Sequence, residues 1–450
     1  MIDREKPASK PKGAEFMEQH ERTVVDGAHH HMHVRHLTLR GTNYEIGRAL
    51  GEIAMNRHGR SPAHVRGEPR YVRTRRRYIQ QTYPLHWERM RGVAAAFGLK
   101  EDNDTYDWST LMYGVDAPQT HAPSPIPPIG CSVVYYPPAT TTNGSAYLSR
   151  NFDFSLGSIV DVFGMPAPDA AALEPMVRHP YVLELHPTDG GYASIAIQAF
   201  DLVSGTLDGM NEAGLVVAIM ADADAMAQIH EVHAGATQAI GLHELQVMRY
   251  VLDTCATAEE AMTAMLLVKQ FYQLVPCHYL IGDRHGNSFV YENSTGRNLQ
   301  YIIEGKGQPQ VVTNFQLHQH PSRDQLSSSD FSLATEAFWR YATLTELLHQ
   351  HNGGFDEDRM KAVNACVSVQ QMFKRLGADA ANRSIPASVR SRTLWHSLYN
   401  VEQGTVAVDF YLGETCNGDT TTEIRSGYYE FALSSNAFAP ARRADHAYIP

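Results

Sequence analysis

Gly130-Cys131-Ser132 holds the residue types from which a nucleophilic site can be built. An apolar run follows, Val133-Val134-Tyr135-Tyr136, then a turn-like Thr-Thr-Asn-Gly-Ser, then Tyr147-Leu148-Ser149-Arg150-Asn151-Phe152-Asp153-Phe154. The pattern predicts two short strands joined by a hairpin. A thiol opens the first strand, and Arg150 with Asp153 closes the second. If the Gly130–Cys131 bond is cut, one residue owns both a thiol and a free α-amine, and the amine replaces the histidine of a catalytic triad. An α-amine has a pKa of about 7.7–8.0 and a thiol about 8.5, so the amine can accept the thiol proton near neutrality. Before a cut the same nitrogen is an amide and has no basicity.

Other residues could complete such a site, and each has a plain structural reading beside the chemical one. Cys131 beside valines also reads as a small buried hydrophobe. Arg150 and Asp153, three apart, fall on opposite faces of an ideal strand; both approach the thiol only where the strand ends or bulges, and otherwise read as an ion pair. Asn314, in Thr313-Asn314-Phe315 at the end of a predicted strand, can turn its amide toward a developing oxyanion or stabilise the turn. Arg340, in Trp339-Arg340-Tyr341, reads as a solvent-facing helix residue or as a charge holding a substrate or a site carboxylate. Gly205-Thr-Leu-Asp-Gly209-Met-Asn211-Glu-Ala-Gly214-Leu215 reads as a structural hairpin with its bend at Asn211 and Gly214. The five cysteines, Cys131, Cys255, Cys277, Cys366 and Cys416, have no CxxC spacing, so neither a disulfide framework nor a zinc site is indicated.

The elements that must position these residues are legible in outline. At 450 residues with 43% hydrophobic and 19% charged residues, the chain reads as globular, and its net charge of -11 argues against nucleic acid or an anionic membrane as partner. The basic run Arg70–Arg77 reads as a solvated helix face. Neither a secretory h-region nor an apolar run of membrane-spanning length is visible, and a reducing cytoplasm fits the cysteine usage. Residues 1–35 are polar, include His29–His33, and read as a leader without fixed structure. Residues 36–130 read as a helical N-terminal segment. Within it Leu37–Gly41 forms a strand, a cap lies at Thr42 or Asn43, and Gly47 and Gly51 share a helix face that admits a close backbone. Helical texture over about 68–116 breaks at Pro84, and a Pro-rich connector leads to Gly130.

From residue 131 to 450 the texture is strand-rich, with candidate strands at 131–137, 145–154, 181–186, 192–200, 205–210, 214–220, 278–283, 287–292, 310–315, 394–400 and 405–411. Helices are predicted at about 238–268 and 331–350. Strands, then helices, then strands again indicate an α+β protein with stacked antiparallel sheets and helices outside, rather than a βαβ repeat.

The ordered set Tyr44-Glu45-x-Gly47-x-x-x-Gly51, Gly130-Cys131-Ser132, Arg150-Asn151-x-Asp153, Gly209-x-Asn211-x-x-Gly214-Leu215, His278-Tyr279-x-x-x-Asp283-x-x-Gly286, Thr313-Asn314, Arg340 and Thr393-Leu394-Trp395 resembles the acyl-coenzyme A:6-aminopenicillanic acid acyltransferase family. These are self-processing cysteine N-terminal nucleophile hydrolases, related to penicillin V acylases and bile salt hydrolases. The resemblance spans about residues 36–412. It implies a four-layer αββα sandwich of two antiparallel sheets, made as a zymogen and cut autocatalytically between Gly130 and Cys131. It further implies Cys131 as nucleophile, Asp153 as partner of its α-amine, Arg150 bracing the thiol, Asn314 in the oxyanion hole and Arg340 in the carboxylate network. An asparagine that related hydrolases carry beyond the Gly-Leu turn has no counterpart in Ala218–Asp222, so a backbone N–H would have to serve as second oxyanion donor.

The implied activity is that of an amidase or acyltransferase on a linear amide, passing through a thioester. The implied partners are a small-molecule amide, with an acyl acceptor or acyl-CoA for transfer; no metal or cofactor is called for. The fragments would stay associated, and a homo-oligomer is compatible with this. Two alternatives stay open: a Cys–His hydrolase using Cys131 or Cys277, and a non-catalytic binding protein of the same fold. Cys277 and His278 are a poor pair, because strand neighbours point to opposite faces.

Overall fold

The computed structural model describes residues 17–115, 130–163, 173–228, 239–294, 299–320, 336–375, 390–417 and 420–433. The Pro-rich connector expected before Gly130, residues 1–16, residues 229–238 and the expected helix start at 331–335 lie outside them. Along the chain run β1 (Glu18–Val25), β2 (Val34–Gly41), α1 (Asn43–His58), α2 (Pro69–Thr82), α3 (Pro84–Ala96), β3 (Gly130–Tyr136), β4 (Tyr147–Ser155) and α4 (Ile159–Phe163). Next come β5 (Tyr181–Pro187), β6 (Ser194–Gln198), β7 (Thr206–Asn211), β8 (Leu215–Ala221), α5 (Ala223–Gln228), β9 (Leu242–His243), α6 (Glu244–Thr254), α7 (Ala258–Leu267) and β10 (Gln270–Phe271). The remainder is β11 (Cys277–Asp283), β12 (Ser288–Asn293), β13 (Gln300–Glu304), β14 (Gln310–Val312), α8 (Glu336–Gln350), α9 (Glu357–Ala365), α10 (Val369–Arg375), β15 (Ser391–Asn400), β16 (Thr405–Asn417) and β17 (Thr420–Ala432).

The strands form a nine-stranded sheet in the order β1-β2-β5-β6-β7-β8-β11-β12-β13 and a six-stranded sheet in the order β14-β3-β4-β15-β16-β17, with β9 and β10 as a small separate pair. The sheets lie face to face. Tyr135 of β3 donates its hydroxyl to the carbonyl of Asp283 in β11 at 2.6 Å, and a Cβ on Gly282 would meet the Tyr135 ring at 2.5 Å. Outside the large sheet, α6 is tied to it where Arg249 donates to Ser194 (2.6 Å) and Asn211 to the carbonyl of Leu252 (2.9 Å). Outside the small sheet, Asn364 of α9 accepts from Ser149 at 2.9 Å, and its carbonyl accepts from Asn151 at 2.8 Å. The αββα layering is therefore the one expected. One departure is the pairing of β2 with β5, which is parallel. The long connection through α1 to α3 makes it possible, since a parallel pair needs a crossover.

Several local expectations hold. Thr42 caps α1: its hydroxyl accepts from Glu45 N at 3.2 Å while Glu45 returns a carboxylate to Thr42 N at 2.8 Å. The glycine face of α1 lies against α3, where a Cβ on Gly47 would overlap the Arg89 carbonyl at 2.0 Å. Two expectations are corrected. Residues 18–33 are not a leader without structure, since β1 pairs with β2 along the sheet edge. Its charged, largely exposed sequence hides the strand and suits an edge that must not recruit another chain. His29–His33 occupy the turn that follows and take separate partners: the His31 ring packs on Tyr411 at 5.7 Å, and His33 Nδ1 accepts from Gly27 N at 3.2 Å. The helix predicted to reach 116 ends at Ala96, because Gly98 adopts φ +68° and starts a turn-rich stretch.

The buried core is continuous across position 130, joining Leu37, Ile46 and Val93 to Val133, Phe152 and Val217. Among the described residues no helix is long and apolar enough to cross a membrane.

Candidate active site

β3 and β4 set the site by alternation. Their register pairs Gly130 with Asp153, Cys131 with Phe152 and Val133 with Arg150. Cys131, Phe152 and Arg150 therefore face the other sheet, while Gly130, Asp153 and Asn151 face the helices. The three-residue spacing of Arg150 and Asp153 does split them between faces. They serve the same residue from two sides, one near its sulfur and one near its backbone. The partner strand β15 shifts register between Thr393 and Trp395, opposite this point.

On the sulfur side, Cys131 is 2% exposed, and Arg150 Nη2 lies 3.6 Å from its Sγ. Burial raises the thiol pKa, the nearby Asp153 adds to that, and Arg150 opposes it without cancelling it. The Arg150 guanidinium is fully buried and fixed by Asp208, which it contacts through Nη1, and by the Ile219 carbonyl at 2.6 Å. Asp208 is itself a hub, accepting from Tyr399 at 2.6 Å, Ser397 at 3.2 Å and Trp395 at 3.4 Å. Sequence reasoning missed it by taking residues 205–215 as a plain hairpin. A lone carboxylate between Leu207 and Gly209 in a strand buried throughout was the available signal.

On the backbone side, the Cys131 N–H donates to Asn314 Oδ1 at 2.6 Å, and Asn314 Nδ2 donates to the Ala221 carbonyl at 2.7 Å. An amide nitrogen carries two hydrogens, so one donor of Asn314 remains for a further acceptor. Arg340 is not solvent-facing: it is 1% exposed and donates to the Cys131 carbonyl, to Asn314 Oδ1 at 2.8 Å and to Glu336 at 2.8 Å. Glu336, one helical turn before it on α8, was not singled out in the sequence.

Asp153 accepts from Thr393 Oγ1 at 2.6 Å through Oδ1, while Oδ2 is buried without a hydrogen-bond partner. That oxygen lies 3.2 Å from where a Cβ on Gly130 would stand. Burial pushes the Asp153 carboxyl up to about 7. Arg340 sits 4.0 Å away and pulls the other way, but its donors are already committed to Cys131, Asn314 and Glu336. Burial wins, and the carboxyl group is only partly ionised around neutrality.

The thiol opens on a cavity with about 540 Å³ of empty space, lined by Phe152, Phe154, Phe200, Leu207, Leu245 and Leu274 and, among polar side chains, by Arg150 and Glu244. Glu244 points its carboxylate into the loop behind, accepting from Gln273 N and Leu274 N at 2.7 Å each. Cys277 also lines the cavity, whereas His278 turns the other way to the Thr313 carbonyl (2.6 Å) and Glu292 (3.2 Å). Among the described residues no histidine side chain is hydrogen-bonded to either thiol. Nor do His, Cys, Asp and Glu side chains cluster there as a metal would require.

Residues 140–413 match the family model of acyl-coenzyme A:6-aminopenicillanic acid acyl-transferase. The chain belongs to this family. The matched span takes in Arg150, Asp153, Asn314 and Arg340 and begins after Cys131. Membership makes the protein an enzyme of the amide-hydrolysing or acyl-transferring kind and bears out the resemblance drawn from the ordered motifs. No curated protein matches the acyl-transferase family chain in sequence. Among solved structures it is similar to a mutant conjugated bile acid hydrolase from Clostridium perfringens, at 13% identity over 69% of this chain and 99% of that one, with a TM-score of 0.42. It is also similar to penicillin V acylase from Agrobacterium tumefaciens, at 17% identity over 62% and 82% of the two chains, with a TM-score of 0.37. A Caenorhabditis elegans ortholog of N-acylethanolamine-hydrolyzing acid amidase matches at 14% identity over 60% and 92%, with a TM-score of 0.34.

Proposed function

We propose that this family member is a self-processing cysteine amidase or acyltransferase acting on a linear amide through a thioester at Cys131. The observation that carries the reading is the double placement of Cys131. Its sulfur faces Arg150 and an apolar cavity, while its backbone nitrogen is held by Asn314 on the side of the sheet where Asp153 keeps an unpartnered oxygen.

In the intact chain the nitrogen is an amide and the thiol is held protonated, so the precursor is inert toward substrate. Maturation begins when Cys131 Sγ attacks the Gly130 carbonyl carbon. The Gly130–Cys131 amide bond breaks, the nitrogen takes up the proton that the thiol gives up, and water resolves the thioester to a Gly130 carboxylate, the restored thiol and a free α-amine. Asp153 then has its counterion, because the new ammonium forms beside Oδ2. In turnover the amine takes the thiol proton and the thiolate, steadied by Arg150, attacks the substrate carbonyl. The tetrahedral oxygen rests on Asn314 Nδ2 and a backbone N–H. The ammonium protonates the leaving amine, and water or a second amine releases the acyl group. The apolar cavity suits an apolar acyl half.

Residues 1–130 would remain attached after the cut, because β2 pairs with β5 in the large sheet and Arg89 of α3 is ion-paired with Asp253 of α6 at 2.5 Å. Intact-mass measurement on purified protein tests the reading. Two species cut at Gly130–Cys131 are expected, and Cys131→Ala should give one chain of 50.1 kDa. A fully active uncut protein would defeat it.

A further inference from the structure

A second cavity lies beside the apolar one, and Met176 lines both. Tyr113 belongs to the second, and its N–H donates to the carbonyl of Phe200 in the first at 2.8 Å, so one thin layer of chain separates them. Their chemistry is opposite. The second is a partly open cleft lined by Arg57, His58, Arg60, Arg178 and His179, with Glu174 as the one carboxylate among its described lining residues.

Positive charge exceeds what the nearby carboxylates balance. Glu21 is divided between Arg57 at 2.9 Å and Arg35 at 3.1 Å. Glu174 is divided between His179 at 2.9 Å and Arg178 at 4.0 Å. Arg57 also donates to Tyr181 Oη at 3.1 Å, which His58 Nε2 approaches at 2.8 Å, so these side chains are fixed in place. His179 Nδ1 is buried without a hydrogen-bond partner. Burial, then the charges of His179 and the arginines around it, hold His58 down at about 3. A concave site of one sign concentrates its field on whatever enters, and guanidinium groups match planar or tetrahedral oxyanions with paired hydrogen bonds.

We propose that this cleft is a binding site for a small oxyanion group, a carboxylate or a phosphate, held by Arg57 and the neighbouring histidines beside the acyl cavity, in the field of Arg178, whose own donors are taken by the carbonyls of Gly27, His30 and His31. Assigning that group to a substrate or co-substrate rests on the reading of Cys131 as nucleophile; the binding itself does not. The oxyanion would sit on the amine half of the amide, or on a phosphate-bearing acyl donor or acceptor.

The test is calorimetric titration of inorganic phosphate into the full-length protein, at low and at high salt, and into Cys131→Ala as a protein that cannot turn over. Saturable binding that salt weakens is expected in both. Arg57→Gln should weaken it about tenfold or more, the scale of a charge-assisted hydrogen bond, and Arg57→Lys should restore most of it. Absence of saturable binding, or an isotherm indifferent to Arg57→Gln, overturns the site. Two kinetic arms separate the sources. If the carboxylate belongs to the substrate, an N-acylglycine has a lower KM than the matching N-acylethylamine, and Arg57→Gln removes the difference. If the phosphate belongs to a partner molecule, the two substrates are equivalent and inorganic phosphate competes with a phosphate-bearing acyl thioester. Failure of both arms overturns the substrate assignment while the titration still decides the site. Failure of the nucleophile reading leaves the phosphate isotherm of Cys131→Ala unchanged.

Discussion

Asn314 Oδ1 accepts the N–H of Cys131 at 2.6 Å and at the same atom accepts from Arg340. The nitrogen on which the proposed chemistry depends is thus held before any bond is cut, by the residue expected to stabilise the oxyanion. Geometry in the uncut chain is already close to that needed afterwards. Under the proposed cut, what changes is the protonation of that nitrogen.

Cys131→Ala should abolish both maturation and turnover, and Cys131→Ser should slow maturation, because a hydroxyl is a poorer nucleophile than a thiol. Intact-mass analysis over days of incubation reads this directly. A Cys131→Ala preparation that still arrives as two fragments shows that another protease makes the cut.

Asn314→Ala removes one oxyanion donor and should lower kcat by roughly 100–1000-fold. It also frees the Cys131 N–H, so the maturation rate should fall as well. Measuring kcat on protein that has matured to completion separates the two effects. A change confined to KM would count against the oxyanion role.

Stability of the uncut chain should depend on pH through Asp153. The carboxyl titrates near its ordinary 3.8 when unfolded and near 7 when folded, because burial favours the neutral form. Between those values the folded state binds the extra proton, so stability falls as pH rises through that window and levels off above it. The loss is on the order of a few kcal/mol. Urea denaturation of Cys131→Ala from pH 4 to 8 measures it, and adding Asp153→Asn should flatten the slope. In matured protein the ammonium beside Asp153 should lower the carboxyl pKa and move the loss toward acid.

Asp208→Ala leaves the Arg150 guanidinium buried and unpaired, which typically costs about 3–5 kcal/mol. Arg150→Met with Asp208→Leu removes both charges and should recover much of that stability. It should not recover activity, because the thiolate loses its cationic neighbour. Denaturation midpoints and thiol alkylation rates, compared across the three proteins, check both halves.

The strand-turn-strand grammar of this protein was legible wherever both faces of a strand are buried. Val133–Tyr136, Leu215–Ala221 and Cys277–Asp283 are apolar runs closed by turn residues, and their ends fall within a residue or two of expectation. Strands with exposed side chains were not legible. Glu18–Val25, Gln300–Glu304 and Thr420–Ala432 carry mostly polar or exposed residues, and their pairing partners alone define them. The short helices α9 and α10 were missed for want of a long apolar period.

In the site, Arg150, Asp153, Asn314 and Arg340 all come within reach of Cys131. Asp208 and Glu336 escaped because their importance lies in which arginine they hold, a tertiary fact. The faces of β4 could be derived from spacing alone. That both faces serve one cysteine required the fold.

The alternation along β4 has a consequence for how such a protein can diversify. Arg150, Phe152 and the cavity wall belong to one side of the sheet, whereas Asp153, Thr393 and Arg340 belong to the other. Replacements that resize the apolar cavity need not disturb the residues proposed to unmask the amine. A lineage could explore new substrates on one side and keep the proposed activation chemistry unchanged on the other.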